Sequence, residues 1–404
     1  MSLRRTFREY RALDRRIWTM AAVRAVNTGG LSLAMAFMAI YLVTDRGLSA
    51  QVYGWIYLAA NLGQSVAQGY AGELSDRLGR RQIMALSLVV RAAVIAAIGA
   101  EILVDASLWL IAPTLLASAV LRGAFEPVAY ALVADIARPE QRVAAYGLQR
   151  MGTNLGWAVG PAVGGLLAAV IHFGYVFFIA AAFLVIAGWV CARIEDPARH
   201  QPHGDTRVSV RQGLAEAFAR RDLTLLLLCS FLFAVVHVQL FSTLSIYASS
   251  ELHLTKADLG VVYAINGAAV LLLQVPAVGY IGRAGAPRAL VFGSLLYVSA
   301  FLALGLADSG LHVALAVVLL TSGEVVAAPA HQAAAAVLGD ARRMGRAFGL
   351  LGLAQMLGVA VAPLLGGVLY DYLRQQPLAM WGILGGVALV MAVAFQRLGG
   401  WLRR

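Results

Sequence analysis

Apolar runs, each about 20 residues or longer, follow one another along the whole chain. They lie at about 17–43, 50–71, 83–102, 109–136, 142–170, 175–194, 222–248, 257–280, 288–307, 311–338, 345–370 and 378–396. Crossing the ~30 Å hydrocarbon layer of a bilayer takes roughly 20 helical residues at about 1.5 Å each. Lipid supplies no hydrogen-bond partners, so a spanning segment must satisfy its own backbone. The pattern therefore predicts an all-α membrane protein with twelve transmembrane helices. Connections are short except at 195–221, which is rich in Pro, His, Asp and Arg. That linker separates an N-terminal six-helix half, 1–194, from a C-terminal half, 222–404. Its last part, Val210 to Arg221, has the pattern of an amphipathic surface helix.

The two halves repeat each other. Gly-Pro-Ala-Val-Gly-Gly at 160–165 recurs as Ala-Pro-Leu-Leu-Gly-Gly at 362–367, which pairs Pro161 with Pro363. The same offset pairs Pro127 with Pro329 and Tyr146-Gly147 with Phe348-Gly349, and a slightly larger one pairs Tyr41 with Tyr247, Gly54 with Gly260 and Gln68 with Gln274. Two parallel pseudo-symmetric halves place a small-molecule site near the membrane midplane, between the repeats.

Composition agrees with lipid as the solvent. Hydrophobic residues make up 60% of the 404 and charged ones only 13%, about half the usual share of a water-facing domain. The formal charge of +11 does not indicate nucleic acid, because the basic residues sit between apolar runs and form no continuous face. With the N-terminus in the cytoplasm, 25 of the 32 basic residues fall in inner segments, while Arg46, Lys256 and Arg374 alone fall in outer loops. That asymmetry predicts a cytoplasmic-membrane protein with both termini inside. Four arginines remain within helices: Arg24, Arg91, Arg122 and Arg150. Cys191 and Cys229 lie at or inside apolar runs and read as small buried hydrophobes, and the charged N-terminus has no cleavage site of a signal peptide.

Between the second and third runs the chain reads Gly72-Glu-Leu-Ser-Asp76-Arg77-Leu-Gly79-Arg80-Arg81. Glycines there permit a tight turn with close backbone approach, the arginines suit lipid phosphate or carboxylates, and Asp76 can cap a helix or pair with arginine. The fifth run carries Gly156, Gly160, Pro161, Gly164 and Gly165, small residues at the spacing that lets helices touch backbone to backbone. The first segment resembles motif A of the major facilitator superfamily at essentially every fixed position, and the second resembles motif C, associated with that family's exporters. The resemblance implies that Asp76 latches the halves at the N-terminus of the eleventh helix. The second-half copy, Gly279 to Gly285, lacks the acid.

Of the 21 carboxylates, only Glu126 and Glu324 lie deep inside apolar runs, at equivalent places in the fourth and tenth. A charge at that depth costs about 2.5–3.5 kcal/mol and commonly marks a pathway or relay. Glu126 follows Arg122 by one helical turn, so it reads either as a buried ion pair with that arginine or as a proton site. Glu324 has no basic residue within a turn, which leaves it neutral at rest. His331 falls seven residues on, on the same face, as a candidate relay; His237 reads as structural. The segment Ser322 to Pro329 is similar to that of the superfamily's bacterial drug:proton antiporters, in which a glutamate before a proline takes part in proton coupling. This chain departs from that group in the depth of Arg122 and in having Gln149-Arg150 where an acid is expected.

Polar residues inside the runs expected to line the centre are the candidate substrate contacts: Arg24, Asn27, Asn154, Gln239, Asn266, Gln274 and Gln355. No phosphate-cradling loop or metal-ligand spacing is present in the sequence, so no cofactor, metal or enzymatic activity is expected. The residues together imply a proton-coupled secondary transporter that exports lipophilic or cationic drugs by antiport, with alternating access. Its expected partners are a small-molecule substrate, protons and membrane lipids, and it is expected to act as a monomer. Export of one metabolite (a sugar, amino acid or siderophore) or of lipid remains open, as does a non-transporting receptor or scaffold.

Overall fold

The computed structural model describes residues 10–195, 220–338 and 344–402. Most of the linker, and all but the last two residues of the expected surface helix at Val210 to Arg221, lies outside the described residues; Arg221 instead starts the next membrane helix. Every regular element among those described is a helix. The first half holds α1 (Arg15–Met35), α2 (Ala50–Leu78), α3 (Arg80–Leu103), α4 (Leu108–Ile136), α5 (Arg142–Val170) and α6 (Phe173–Cys191). The second holds α7 (Arg221–Val238, resumed as Thr243–Ser250), α8 (Lys256–Ala284), α9 (Ala286–Gly305), α10 (Gly310–Leu338), α11 (Met344–Leu373) and α12 (Pro377–Leu402). Eleven segments are long and apolar enough to cross a membrane. The remaining helix, α2, is equally long at 29 residues but is diluted by Asn61, Gln64, Gln68 and the charged residues of its last turns.

Local chemistry sets the helix ends. Asp14 accepts the Arg16 amide at 2.8 Å and starts α1. Ser107 and the His172 ring do the same for α4 and α6, and Thr255 with Asp258 forms a reciprocal capping box on α8. Single glycines divide α2 from α3 and α8 from α9: Gly79 has φ +100° and Gly285 φ +81°. A side chain is disfavoured at both angles, and the two hinges occupy equivalent places in the repeat.

The chain forms two compact units, one of Met1–Met38 with Ala59–Asp205 and one of Ala39–Leu58 with Thr206–Arg404. In the first, α1 packs on α5 and α6, and α3 on α4 and α6. In the second, α7 packs on α11 and α12, and α9 on α10 and α12, which is the same pairing pattern. Segment 39–58 belongs to the second unit because the start of α2 meets α11 there. Gly54 abuts the backbone of Pro363 and Leu364, and Gly367 abuts that of Ala50. Large apolar side chains such as Trp109, Leu271, Leu272 and Val275 lie 72–88% exposed, a surface suited to lipid rather than water.

Candidate functional site

Glycines of α5 determine how the first unit is assembled. Gly152, Gly156, Gly160 and Gly164 recur every four residues along the face that meets α1, against Ala21, Thr28 with Gly29, Ser32 and Leu33. A Cβ at Gly156 would stand 2.6 Å from the Gly29 amide nitrogen. Ser32 Oγ donates to the Gly156 carbonyl at 3.1 Å, tying the seam. The second unit repeats this seam, with Gly358 against Phe231 and Gly366 against Thr243. Gln239, expected among the substrate contacts, is instead consumed by it. Fully buried, it donates to the Val235 and Ala362 carbonyls at 3.0 and 3.1 Å and accepts from Thr243 at 2.6 Å.

In the first unit Glu126 pairs with Arg24, not with Arg122. Arg24 Nη1 lies 2.9 Å from Glu126 Oε2, and the guanidinium stacks 4.0 Å above the Tyr130 ring. Arg24 is only 2% exposed, so leaving it unpaired would cost more than leaving the half-buried Arg122 unpaired. Arg122 makes no ion pair among the described residues. Asn27 is buried, with its carbonyl oxygen unpartnered, while Asn154 on α5 is exposed.

In the second unit Glu324 is not isolated. His237 Nδ1 approaches its carboxylate to 3.7 Å, and the Tyr297 hydroxyl lies 3.4 Å from the same nitrogen. Both Glu324 and His237 keep about a quarter to a third of their side chains exposed, at 26% and 32%. His331, the expected relay, is not part of this group. It is 3% exposed and shares its Nε2 with Ser230 at 2.8 Å. Ser230 donates onward to the Leu226 carbonyl, which leaves the His331 Nε2–H as the donor to the serine oxygen. Phe233 stacks on both imidazoles, and Phe395 meets His331 edge-on. Spacing along α10 does put His331 on the Glu324 face, but α7 packs over it and supplies an ordinary core partner. Asn266 ties α8 to α10 through Thr321 at 2.7 Å; Gln274 and Gln355 are half-buried.

At the α2–α3 turn Arg80 bridges Asp76 at 3.3 Å and Asp135, at the end of α4, at 2.5 Å, while Arg77 pairs with Glu73 at 2.6 Å. Arg81 is half-buried beside them. Gly72 faces open space, so close approach is not what its missing side chain provides here. His237, Tyr297 and Asp135 were not singled out as site residues by sequence. Nothing in their own helical neighbourhoods signals a partner on another helix.

The second unit thus gathers a half-buried carboxyl, an imidazole and a phenol, and the Arg24–Glu126 pair places a second embedded acid in the first. The chain is similar over nearly its full length to known membrane transporters. Multidrug resistance protein MdtH of Edwardsiella ictaluri is 28% identical over 373 residues, which cover 90% of this chain and 89% of that protein. The uncharacterized MFS-type transporter YqjV of Bacillus subtilis is 24% identical over 384 residues, 92% and 91% of the two chains. Among solved structures, nucleoside transporter NupG superposes with a TM-score of 0.78 at 12% identity, covering 95% and 99% of the two chains. Peptide transporter POT gives 0.75 at 15%, covering 96% and 95%. These two show a shared fold. The sequence pattern of the Major Facilitator Superfamily matches residues 20–281 and 240–401, and the chain belongs to that family.

Proposed function

We propose that the protein is a secondary transporter of the cytoplasmic membrane that exports lipophilic small molecules in exchange for protons, with Glu324 as the principal proton carrier. The observation that carries this reading is the Glu324–His237–Tyr297 group, a carboxyl at membrane depth that remains partly exposed. A carboxyl there pays for its charge unless a proton or a partner compensates it, and it is a relay group for that reason. Substrate and proton then compete for one conformational cycle, and each shifts its populations only through its own differential affinity. The MdtH relatives, multidrug resistance proteins by name, support export of lipophilic compounds. The arginine asymmetry supports cytoplasmic termini.

The test is substrate-induced proton release from purified protein, together with uphill uptake into inside-out vesicles, which reads export. Glu324→Gln is expected to abolish proton release and uphill movement while leaving substrate binding measurable. Glu126→Gln is expected to be milder. Proton release and uphill pumping that persist in Glu324→Gln would overturn the assignment.

A further inference from the structure

Four arginines, Arg24, Arg91, Arg122 and Arg150, stand in the first unit at membrane depth, and among the described residues Glu126 is the one carboxylate paired with any of them. Tyr130 of α4 and Tyr146 of α5 are in ring contact, with centroids 5.8 Å apart. The two helices are consecutive and run in opposite directions. By i, i+4 spacing Glu126 and Arg122 lie one and two turns from Tyr130 on its face of α4, and Arg150 and Asn154 one and two turns from Tyr146 on its face of α5. Arg150, Asn154, Tyr130 and Tyr146 are exposed and Arg122 is half-buried, so this strip of the two faces is accessible. Glu126 is already committed to Arg24.

Behind this strip lies Arg91 of α3, 2% exposed. Its Nε reaches Ser118, one turn from Arg122 on α4, at 3.4 Å, and its buried Nη1 has no partner. Arg24 Nε is likewise buried and unpartnered. The other carboxylates of α3 and α4 are engaged elsewhere: Glu101 accepts from Thr114, and Asp135 pairs with Arg80. Glu101 also lies ten residues from Arg91 along α3, about 15 Å.

We infer that this strip binds the anionic group of the substrate, and that the transported compounds are lipophilic organic acids or zwitterions rather than simple cations. The inference rests on the transporter reading above and specifies its substrate class. An embedded positive charge needs a compensating anion, and Glu126, the strip's one carboxylate, is already taken by Arg24 while Arg122 and Arg150 stand in the strip and Arg91 behind it. A cationic ligand would add to the imbalance, whereas a carboxylate or other oxyanion relieves it and suits the guanidinium fork of Arg122 or Arg150.

The test is calorimetric binding of 2-naphthoate, 2-naphthamide and 2-naphthylmethylammonium to the full-length protein in neutral POPC nanodiscs. Naphthoate is expected to bind at least tenfold more tightly than the other two. Arg122→Gln and Arg150→Gln should each erase most of that preference, and Arg122→Lys should retain part of it. Should Arg122→Gln fail to fold, the exposed Arg150→Gln decides the matter. Equal or tighter binding of the ammonium probe, or a preference that survives both glutamine variants, would overturn the inference. Loss of naphthoate binding in POPG discs would assign the site to a lipid headgroup and overturn the substrate class. Proton-driven pumping of the ammonium probe without naphthoate binding would leave the exporter reading intact and sink only this inference. Naphthoate binding at the arginines without proton-driven transport of any probe would do the reverse.

Discussion

Helix α2 begins with backbone amides that no residue of its own can satisfy, and the acceptor comes from α11. Asp371 takes the Ala50 amide at 3.1 Å with one oxygen, and with the other the Gln51 amide at 2.8 Å and the Ser49 hydroxyl at 2.6 Å. The first amides of any helix lack intrahelical partners, and a carboxylate placed there also meets the positive end of the helix dipole. Losing a cap of this kind costs about 0.5–2 kcal/mol, and losing the charge at the helix start about 0.3–1 kcal/mol. Asp371→Ala should therefore cost roughly 1–3 kcal/mol of local stability, and Asp371→Asn, which keeps an acceptor in place, only the charge part. At about 1.4 kcal/mol per factor of ten, amides near residues 50–53 should exchange with deuterium roughly 5- to 100-fold faster in Asp371→Ala. The corresponding figure for Asp371→Asn is about two- to fivefold.

The assay is hydrogen–deuterium exchange by mass spectrometry on protein in nanodiscs, followed on the peptide that spans the start of α2. Asp308→Asn is the control, because Asp308 bonds His312 on an exposed turn far along the chain from this cap. Unchanged protection in Asp371→Ala would refute the cap. Equal losses in the alanine and asparagine variants would place the whole effect in the charge. Neighbouring pairs supply the background that a single change leaves intact: Lys256 with Asp45, Tyr370 donating to Glu251 at 2.7 Å, and Thr44 with Ser250 at 2.8 Å.

Two further outcomes are expected from the first unit. Gly156→Leu should lower the thermal unfolding midpoint, because its side chain would enter the Thr28–Gly29 backbone at an overpacking cost of about 1–3 kcal/mol; Gly69→Ala, with nothing within 4 Å of the added carbon, should not. A Gly156→Leu protein as stable as the parent would refute the seam. Arg24→Met should destabilise by about 3 kcal/mol, the low end for breaking a buried pair because Glu126 keeps a quarter of its surface in contact with solvent. Adding Glu126→Leu should recover much of that loss. A double-mutant cycle with no coupling, or one in which Arg122 couples to Glu126 as strongly as Arg24 does, would refute the pairing.

What could be read from the sequence divides along a physical line. Helix existence follows from the solvent, because lipid demands long apolar runs and tolerates nothing shorter; even α2, diluted by its polar residues, was recognisable from its length and its copy in the second half. The turns at Gly79 and Gly285 were likewise visible as repeated glycine-rich segments. Partners were not, because spacing along one helix reports only that helix's own face. Arg122 stood one turn from Glu126 and His331 two turns from Glu324, yet the residues that meet those acids, Arg24 and His237, come from α1 and α7. Which face α1 presents is set by its seam with α5. Backbone contact at Ala21, Gly29 and Leu33 is possible only in one rotation of α1, and that rotation delivers Arg24 to Glu126 and Tyr130. The small-residue motif and the choice of ion pair are thus one fact seen at two levels, and only the first leaves a mark in the spacing of residues.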